Sequence, residues 1–193
     1  MANAYELMQN LAKENSAELL SRLFIYYNSR MLEGKADEDA GSTLRESLAG
    51  VAKYGVCTED LWPYDITKFN VRPPDHCYQD ALPRRITRYR RIKNISDAVD
   101  ALNNRIPVVF GVTVFRGFNY LDKSNTVVLL PTDSEEDSGG HAMCMVGYDQ
   151  DQQKVLAKNS FGTAWGDQGY CWFTYDYIDQ YGYDMWVFDI PQR

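Results

Sequence analysis

The hydrophobic periodicity of this chain changes character once, near its middle, and that change restricts the fold more than any other feature. Up to Gly55, apolar side chains recur at three- and four-residue spacing, the repeat of helices that bury one face. Leu7, Met8 and Leu11 predict a helix over Ala4 to Asn15, with Ser16 as a cap for the segment that follows. Leu19, Leu20, Leu23, Phe24, Tyr27 and Met31 give a second helix over Ala17 to Leu32 a wide apolar face, and Glu33 with Gly34 closes it. The polar stretch Lys35 to Gly41 is a loop. From Ser42, the spacing of Leu44, Leu48, Val51 and Ala52 predicts a third helix ended by Gly55. Trp62, Pro63 and the pair Pro73, Pro74 then mark an irregular connection.

The second half has the period of strands. Arg84 to Ile92 alternates, Val108 to Phe115 is a buried run, and Val127 to Leu130, Ala142 to Tyr148, Val155 to Asn159 and Tyr170 to Tyr175 follow. One helix intervenes at Ser96 to Asn104, capped by Ser96 ahead of Val99 and Leu102. Helices followed by strands make an α+β protein, divided at residues 1–86 and 87–193 into a helical lobe and a β lobe with a cleft between them.

Composition excludes several classes. Hydrophobic residues at 45% and charged residues at 24% of 193 are ordinary globular usage, which argues against disorder. The net charge of −7, with an acidic stretch at Glu135, Glu136 and Asp137, repels a phosphate backbone, so nucleic acid is not an expected partner. Arg84, Arg85, Arg88, Arg90 and Arg91 nearly alternate with Ile86, Tyr89 and Ile92, the pattern of a strand's solvated face. No apolar run approaches the ~18 residues of a membrane span, and the first residues lack the regions of a signal peptide, which points to the cytoplasm if Met1 is the true start. Cys57, Cys77, Cys144 and Cys171 form no CxxC pair, so no metal and no cofactor is expected. Cys57 and Cys77 flank a turn-rich loop, compatible with a disulfide in an oxidising compartment or with unpaired buried thiols.

Two late segments narrow the fold class to a family. GGHAMCMVGYD at 139–149 and KNSFGTAWGDQGY at 158–170 resemble the histidine and asparagine motifs of papain-like cysteine peptidases. SRLFIYYNSR at 21–30 and GVCTEDLWPYD at 55–65 extend the likeness across essentially the whole chain, toward a microbial and viral branch of that family. The resemblance implies a two-lobe papain-like fold with an antiparallel, β-barrel-like second lobe, and a peptide or protein substrate in the cleft. A thiol attacks a peptide carbonyl only as thiolate, and with a pKa of ~8.5 it needs a nearby cation and a favourable dipole. By resemblance, His141 forms the ion pair and then protonates the leaving amine, Asn159 orients its ring, and Phe161 and Trp165 cover the bond between them. Phe161 stands where relatives usually carry tryptophan. Gly139 and Gly140 let a peptide backbone approach or simply form a turn; Ala142, with Met143 and Met145, is a candidate for lining the pocket or for packing in the core; Gly41 sits where a substrate-lining glycine is expected.

The nucleophile itself is not in these residues. In relatives the cysteine opens the first long helix, after a loop whose glutamine helps form the oxyanion hole. Ala2, Asn3 and Ala4 look like the residues that follow that cysteine. Strand alternation turns Cys144 away from His141, Cys171 and Cys57 read as buried thiols, and Cys77 sits in a loop. A chain with neither that cysteine nor that glutamine is expected to be inactive. A truncated or mis-started peptidase describes its family identity, and a pseudopeptidase that binds peptides without cutting describes the 193 residues in isolation. An amidase or transferase on the same scaffold fails for want of the same thiol. Relatives also use their N-terminal segment to strap the lobes together, so its loss is expected to expose apolar surface and to favour a homodimer.

Overall fold

The computed structural model describes residues 1–12, 18–132 and 134–191. The chain divides into two units, Met1–Arg90 with Phe188–Arg193, and Arg91–Val187.

In the first unit, α1 (Ala2–Ala12) buries Ala2, Ala4 and Tyr5, and Leu11 of the expected apolar face is exposed. Tyr5 decides the face, because its ring stacks on Phe188 with centroids 6.1 Å apart. The expected cap at Ser16 lies outside the described residues.

The second helix starts later than its apolar spacing predicts. Helix α2 is Arg22–Leu32, and Ser21 caps it by accepting from the Phe24 N–H at 3.1 Å. The residues just before it are drawn into backbone pairing instead: Ser21 N–H donates to the Cys57 carbonyl at 2.9 Å, and Glu59 N–H donates to the Leu19 carbonyl at 2.8 Å. Leu20 is thereby buried and Leu19 is left in solvent.

Helix α3 (Leu44–Tyr54) is capped by Thr43 and ends at Gly55, whose φ of +79° suits glycine. A Cβ at Gly55 would collide with the Ala81 carbonyl.

The irregular connection contains a helix that periodicity does not reveal. Helix α4 (Asp75–Ala81) follows Pro74, and it buries Cys77 and Ala81 against Phe24 and Cys57. Cys77 is therefore helical, not in a loop. With only 7 residues, α4 is too short to repeat an apolar face, and the two prolines before it are helix-start residues here. Leu82–Arg84 continues as a 3₁₀ turn, which shortens the expected strand to β1 (Arg88–Ile92). Arg84 belongs to no solvated face: it is 6% exposed and pairs with Glu18 and Asp80, both at 2.9 Å.

The second unit begins with α5 (Ile95–Asn103), capped by Asn94 and not by Ser96; the Asn94 side chain accepts from the Asp97 N–H at 2.8 Å. Strand β2 (Val108–Phe115) is almost wholly buried. Beyond it come β3 (Val127–Val128), β4 (Asp137–Asp149), β5 (Lys154–Lys158), β6 (Tyr170–Thr174), α6 (Tyr175–Tyr181) and β7 (Gly182–Asp189). Neither α6 nor β7 has a counterpart among the expected elements. The sheet order is β1-β7-β2-β4-β5-β6-β3. The α+β class holds, and the sheet is open and mixed: β1 and β3 end the order, and β3 runs parallel to β6. Phe110, Val112, Met143, Met145, Phe173 and Tyr177 belong to one core cluster. No helix among the described residues is long and apolar enough to cross a membrane.

Candidate active site

Strand β4 runs farther toward its N-terminus than its apolar run suggests, so Gly139, Gly140 and His141 are strand residues paired along β2, with His141 opposite Val112 and Gly140 opposite Thr113. On the other side of β4, the register sets Lys158 against Cys144. Asn159 is the next residue, and its N–H donates to the Gly169 carbonyl at 2.9 Å. This hairpin brings Asn159 Oδ1 to 2.8 Å from His141 Nε2.

The same oxygen accepts the Ser160 backbone N–H at 2.8 Å. A backbone N–H only donates, so the atom it meets is the amide oxygen, and the proton shared with the ring must sit on Nε2. His141 therefore donates from Nε2 and keeps Nδ1 for other work. Asn159 is 5% exposed, and its Nδ2 is buried with no partner among the described residues, a cost of about 1–3 kcal/mol that the fold carries at this position.

Three aromatic rings surround the pair. Phe161 lies 5.1 Å from the imidazole and Phe118 lies 5.6 Å from it, centroid to centroid. Trp165 braces both, at 4.9 Å from Phe118 and 5.8 Å from Phe161, and its indole N–H donates to the Phe118 carbonyl at 3.1 Å. Phe161 is 49% exposed while Trp165 is 7% exposed, so Phe161 forms the outer cover and Trp165 the support beneath it. Phe118 is a site residue that sequence reasoning misses. It sits in a 3₁₀ turn (Arg116–Tyr120) just after β2, and its only signal is an aromatic residue following a buried strand.

The two glycines before the histidine do different things. Gly139 has φ of +103° and open space where a Cβ would point. At Gly140 a Cβ would collide with the Tyr183 hydroxyl, and at Gly111 with the Tyr183 ring, so β7 lays that tyrosine across both. Ala142 is exposed, and Met143 and Met145 are core residues. Gly41 belongs to the first unit, with φ of +72° and nothing within 4 Å of a Cβ position.

All four cysteines are free and buried. Cys144 lies between two core methionines of β4, and burial pushes its thiol up to about 11. Burial, and next the neighbouring Cys77, pushes Cys57 up to about 12; burial also raises Cys77 and Cys171. Cys57 and Cys77 are close enough to hydrogen-bond and are not joined.

The sheet is open and mixed where an antiparallel, barrel-like one is expected, and it still sets the histidine and asparagine of the two motifs against each other under an aromatic cover. The model of the Papain family cysteine protease matches residues 33–188, and the chain belongs to that family. It is 37% identical to an uncharacterized peptidase C1-like protein of Acanthamoeba polyphaga mimivirus, over 97% of this chain and 64% of that one. Peptidase 1 of Dermatophagoides farinae is 27% identical over 69% of this chain and 41% of its own length. The chain thus spans less than two thirds of the curated relatives it matches. Among solved structures, xylellain, a cysteine protease from Xylella fastidiosa, superposes with a TM-score of 0.87 at 33% identity, over 97% of this chain and 76% of that one. The bromelain protease of Ananas comosus shares the fold, with a TM-score of 0.69 at 19% identity, over 98% of this chain and 88% of that one.

Proposed function

We propose that this chain carries the histidine and asparagine of a peptide-bond hydrolase whose nucleophile is a cysteine thiolate, acting on peptides or proteins. The observation that supports it most is the His141 Nε2 to Asn159 Oδ1 hydrogen bond of 2.8 Å, with the oxygen fixed from behind by the Ser160 N–H. In this reading Nδ1 of the imidazolium faces the thiolate. The thiolate sulfur attacks the peptide carbonyl, the Nδ1 proton passes to the leaving amine as the C–N bond breaks, and the neutral ring then takes a proton from the water that hydrolyses the thioester. Asn159 holds the ring at a constant angle through these steps, and Phe161 with Trp165 shields the bond from water. Gly139, Gly140, Ala142 and, on the first unit, Gly41 receive the peptide backbone.

The thiol in this scheme is none of Cys57, Cys77, Cys144 or Cys171, each buried with its pKa raised. Helix α1 opens at Ala2, and a cysteine carried immediately upstream of Met1 would stand beside the positive end of its dipole, which favours the thiolate. For the 193 residues alone, the same four buried thiols favour a binding module that holds a peptide without cutting it.

The test is to append a segment with glutamine and cysteine ahead of residue 1 and to follow hydrolysis of a fluorogenic peptide. The expected result is turnover with the segment, none without it, and none with the segment plus His141→Ala. Turnover that survives His141→Ala rejects the assignment. Peptide affinity with no turnover in either form favours the binding module.

A further inference from the structure

Helix α2 buries a cation that has nothing to do with the histidine pair. Arg30 is 0% exposed, the largest of the fully buried side chains. Its charge is met by backbone carbonyls. Nη1 donates to Ala36 O at 2.8 Å and to Glu38 O at 2.6 Å, and Nη2 donates to Phe69 O at 2.5 Å. The guanidinium lies 4.0 Å from the centre of the Tyr26 ring and 5.4 Å from that of Phe69. Its Nε has no partner among the described residues.

Tyr26 stands one helical turn before Arg30 and completes the arrangement. Its hydroxyl donates to Asp39 Oδ1 at 2.5 Å and accepts the Gly41 N–H at 3.1 Å. Two side chains of one helix, at i and i+4, thus hold Ala36, Glu38, Asp39 and Gly41, which is most of the loop after α2. That loop is polar and exposed, the kind of segment that connects elements without needing to be fixed. Desolvating a guanidinium costs several kcal/mol, and an apolar side chain of similar size would serve packing at least as well. What the cation adds is direction, since five N–H groups in a rigid fork set the positions of the carbonyls they meet. The end product is Gly41 at φ +72°, with its N–H occupied and the space beside its Cα empty.

We infer that Arg30 and Tyr26 are positioning residues for peptide binding: they hold the 36–41 loop so that Gly41, with its N–H tied to Tyr26, presents the open face beside its Cα to an extended peptide. This rests on the proposal that the chain binds peptides and that Gly41 receives them. The clamp acts through Gly41 and touches no reacting atom. Tyr26→Phe is the sharpest probe, because it removes the hydroxyl and leaves the ring on Arg30. Arg30→Met removes the charge and keeps the length.

The experiment measures binding of fluorescein-labelled casein, an unfolded protein, by anisotropy, alongside amide hydrogen exchange at Gly41 and the thermal midpoint. For Tyr26→Phe the expected result is faster Gly41 exchange, an affinity lower by about fivefold to tenfold, and a midpoint within a few degrees of the parent. Arg30→Met is expected to weaken binding further, and if it fails to fold, Tyr26→Phe still decides. Faster Gly41 exchange with unchanged affinity overturns the inference while leaving peptide binding intact. A parent chain that binds no casein overturns both.

Discussion

Phe118 and His141 pack ring against ring at 5.6 Å, and Phe118 is itself held by the Trp165 indole through its own carbonyl. The imidazole is thus fixed from two directions, by an amide at Nε2 and by an aromatic plane. Phe118→Ala is expected to cost about 3–5 kcal/mol, because the side chain is 3% exposed and its removal leaves a cavity among Trp165, Phe161 and Phe173. Denaturant unfolding measures the loss. Phe118→Leu keeps most of the volume and should fold, with a His141 ring that samples more orientations by NMR relaxation.

Asn159→Ala removes the oxygen that accepts from both His141 and Ser160. Stability is expected to fall by about 1–3 kcal/mol, since one buried backbone N–H and one ring N–H lose their acceptor. In the form carrying an appended cysteine segment, turnover should fall by at least tenfold. Asn159→Gln tests geometry, because it keeps the amide and moves the oxygen by one methylene.

The cysteines give a pH prediction with a definite sign. Each thiol is raised in the folded state, to about 12 at Cys57 and about 11 at Cys144, chiefly by burial. A raised thiol contributes stability that is complete below the unfolded value of ~8.5 and is lost as pH climbs toward the folded value. The thermal midpoint should therefore hold to about pH 8 and decline between about pH 8.5 and 11. At pH 8, iodoacetamide should leave all four cysteines unmodified in the folded chain and alkylate all four in denaturant. Rapid native labelling at Cys77 would mean that α4 opens readily.

Gly55→Ala should be among the most damaging single-atom additions. Its φ of +79° disfavours any side chain, and the new methyl would meet the Ala81 backbone. A loss of about 2–4 kcal/mol is expected, read as a lower denaturant midpoint. Gly139→Ala carries only the conformational penalty, because open space surrounds it.

The helical-then-strand order, the second and third helices and most strands of the sheet are legible in the sequence, because each repeats its apolar face; the first helix is expected, but Ala2, Ala4 and Tyr5, not Leu11, form its buried face. The His141 and Asn159 pair is legible through its two motifs. What escapes has a physical reason in each case. The start of α2 is set by backbone pairing of Leu19 and Ser21 with the 57–59 segment, a long-range effect that no local spacing encodes. Helix α4 is too short to repeat. Strand β7 is interrupted at Asp184, where φ is +50°, and its alternation is correspondingly broken. Arg84 reads as surface because one of its two carboxylate partners, Glu18, comes from far away in the chain, while the other, Asp80, lies one turn before it on a helix that periodicity does not reveal. Phe118 belongs to a turn, where no repeat marks the residue that packs on the histidine.

Because the imidazole sits on β4 and its amide follows β5, one hairpin within the second unit assembles the hydrogen-bonded pair. The pair is modular: its geometry is set inside one β-hairpin, so a change confined to the first unit would leave the imidazole and its amide partner in register.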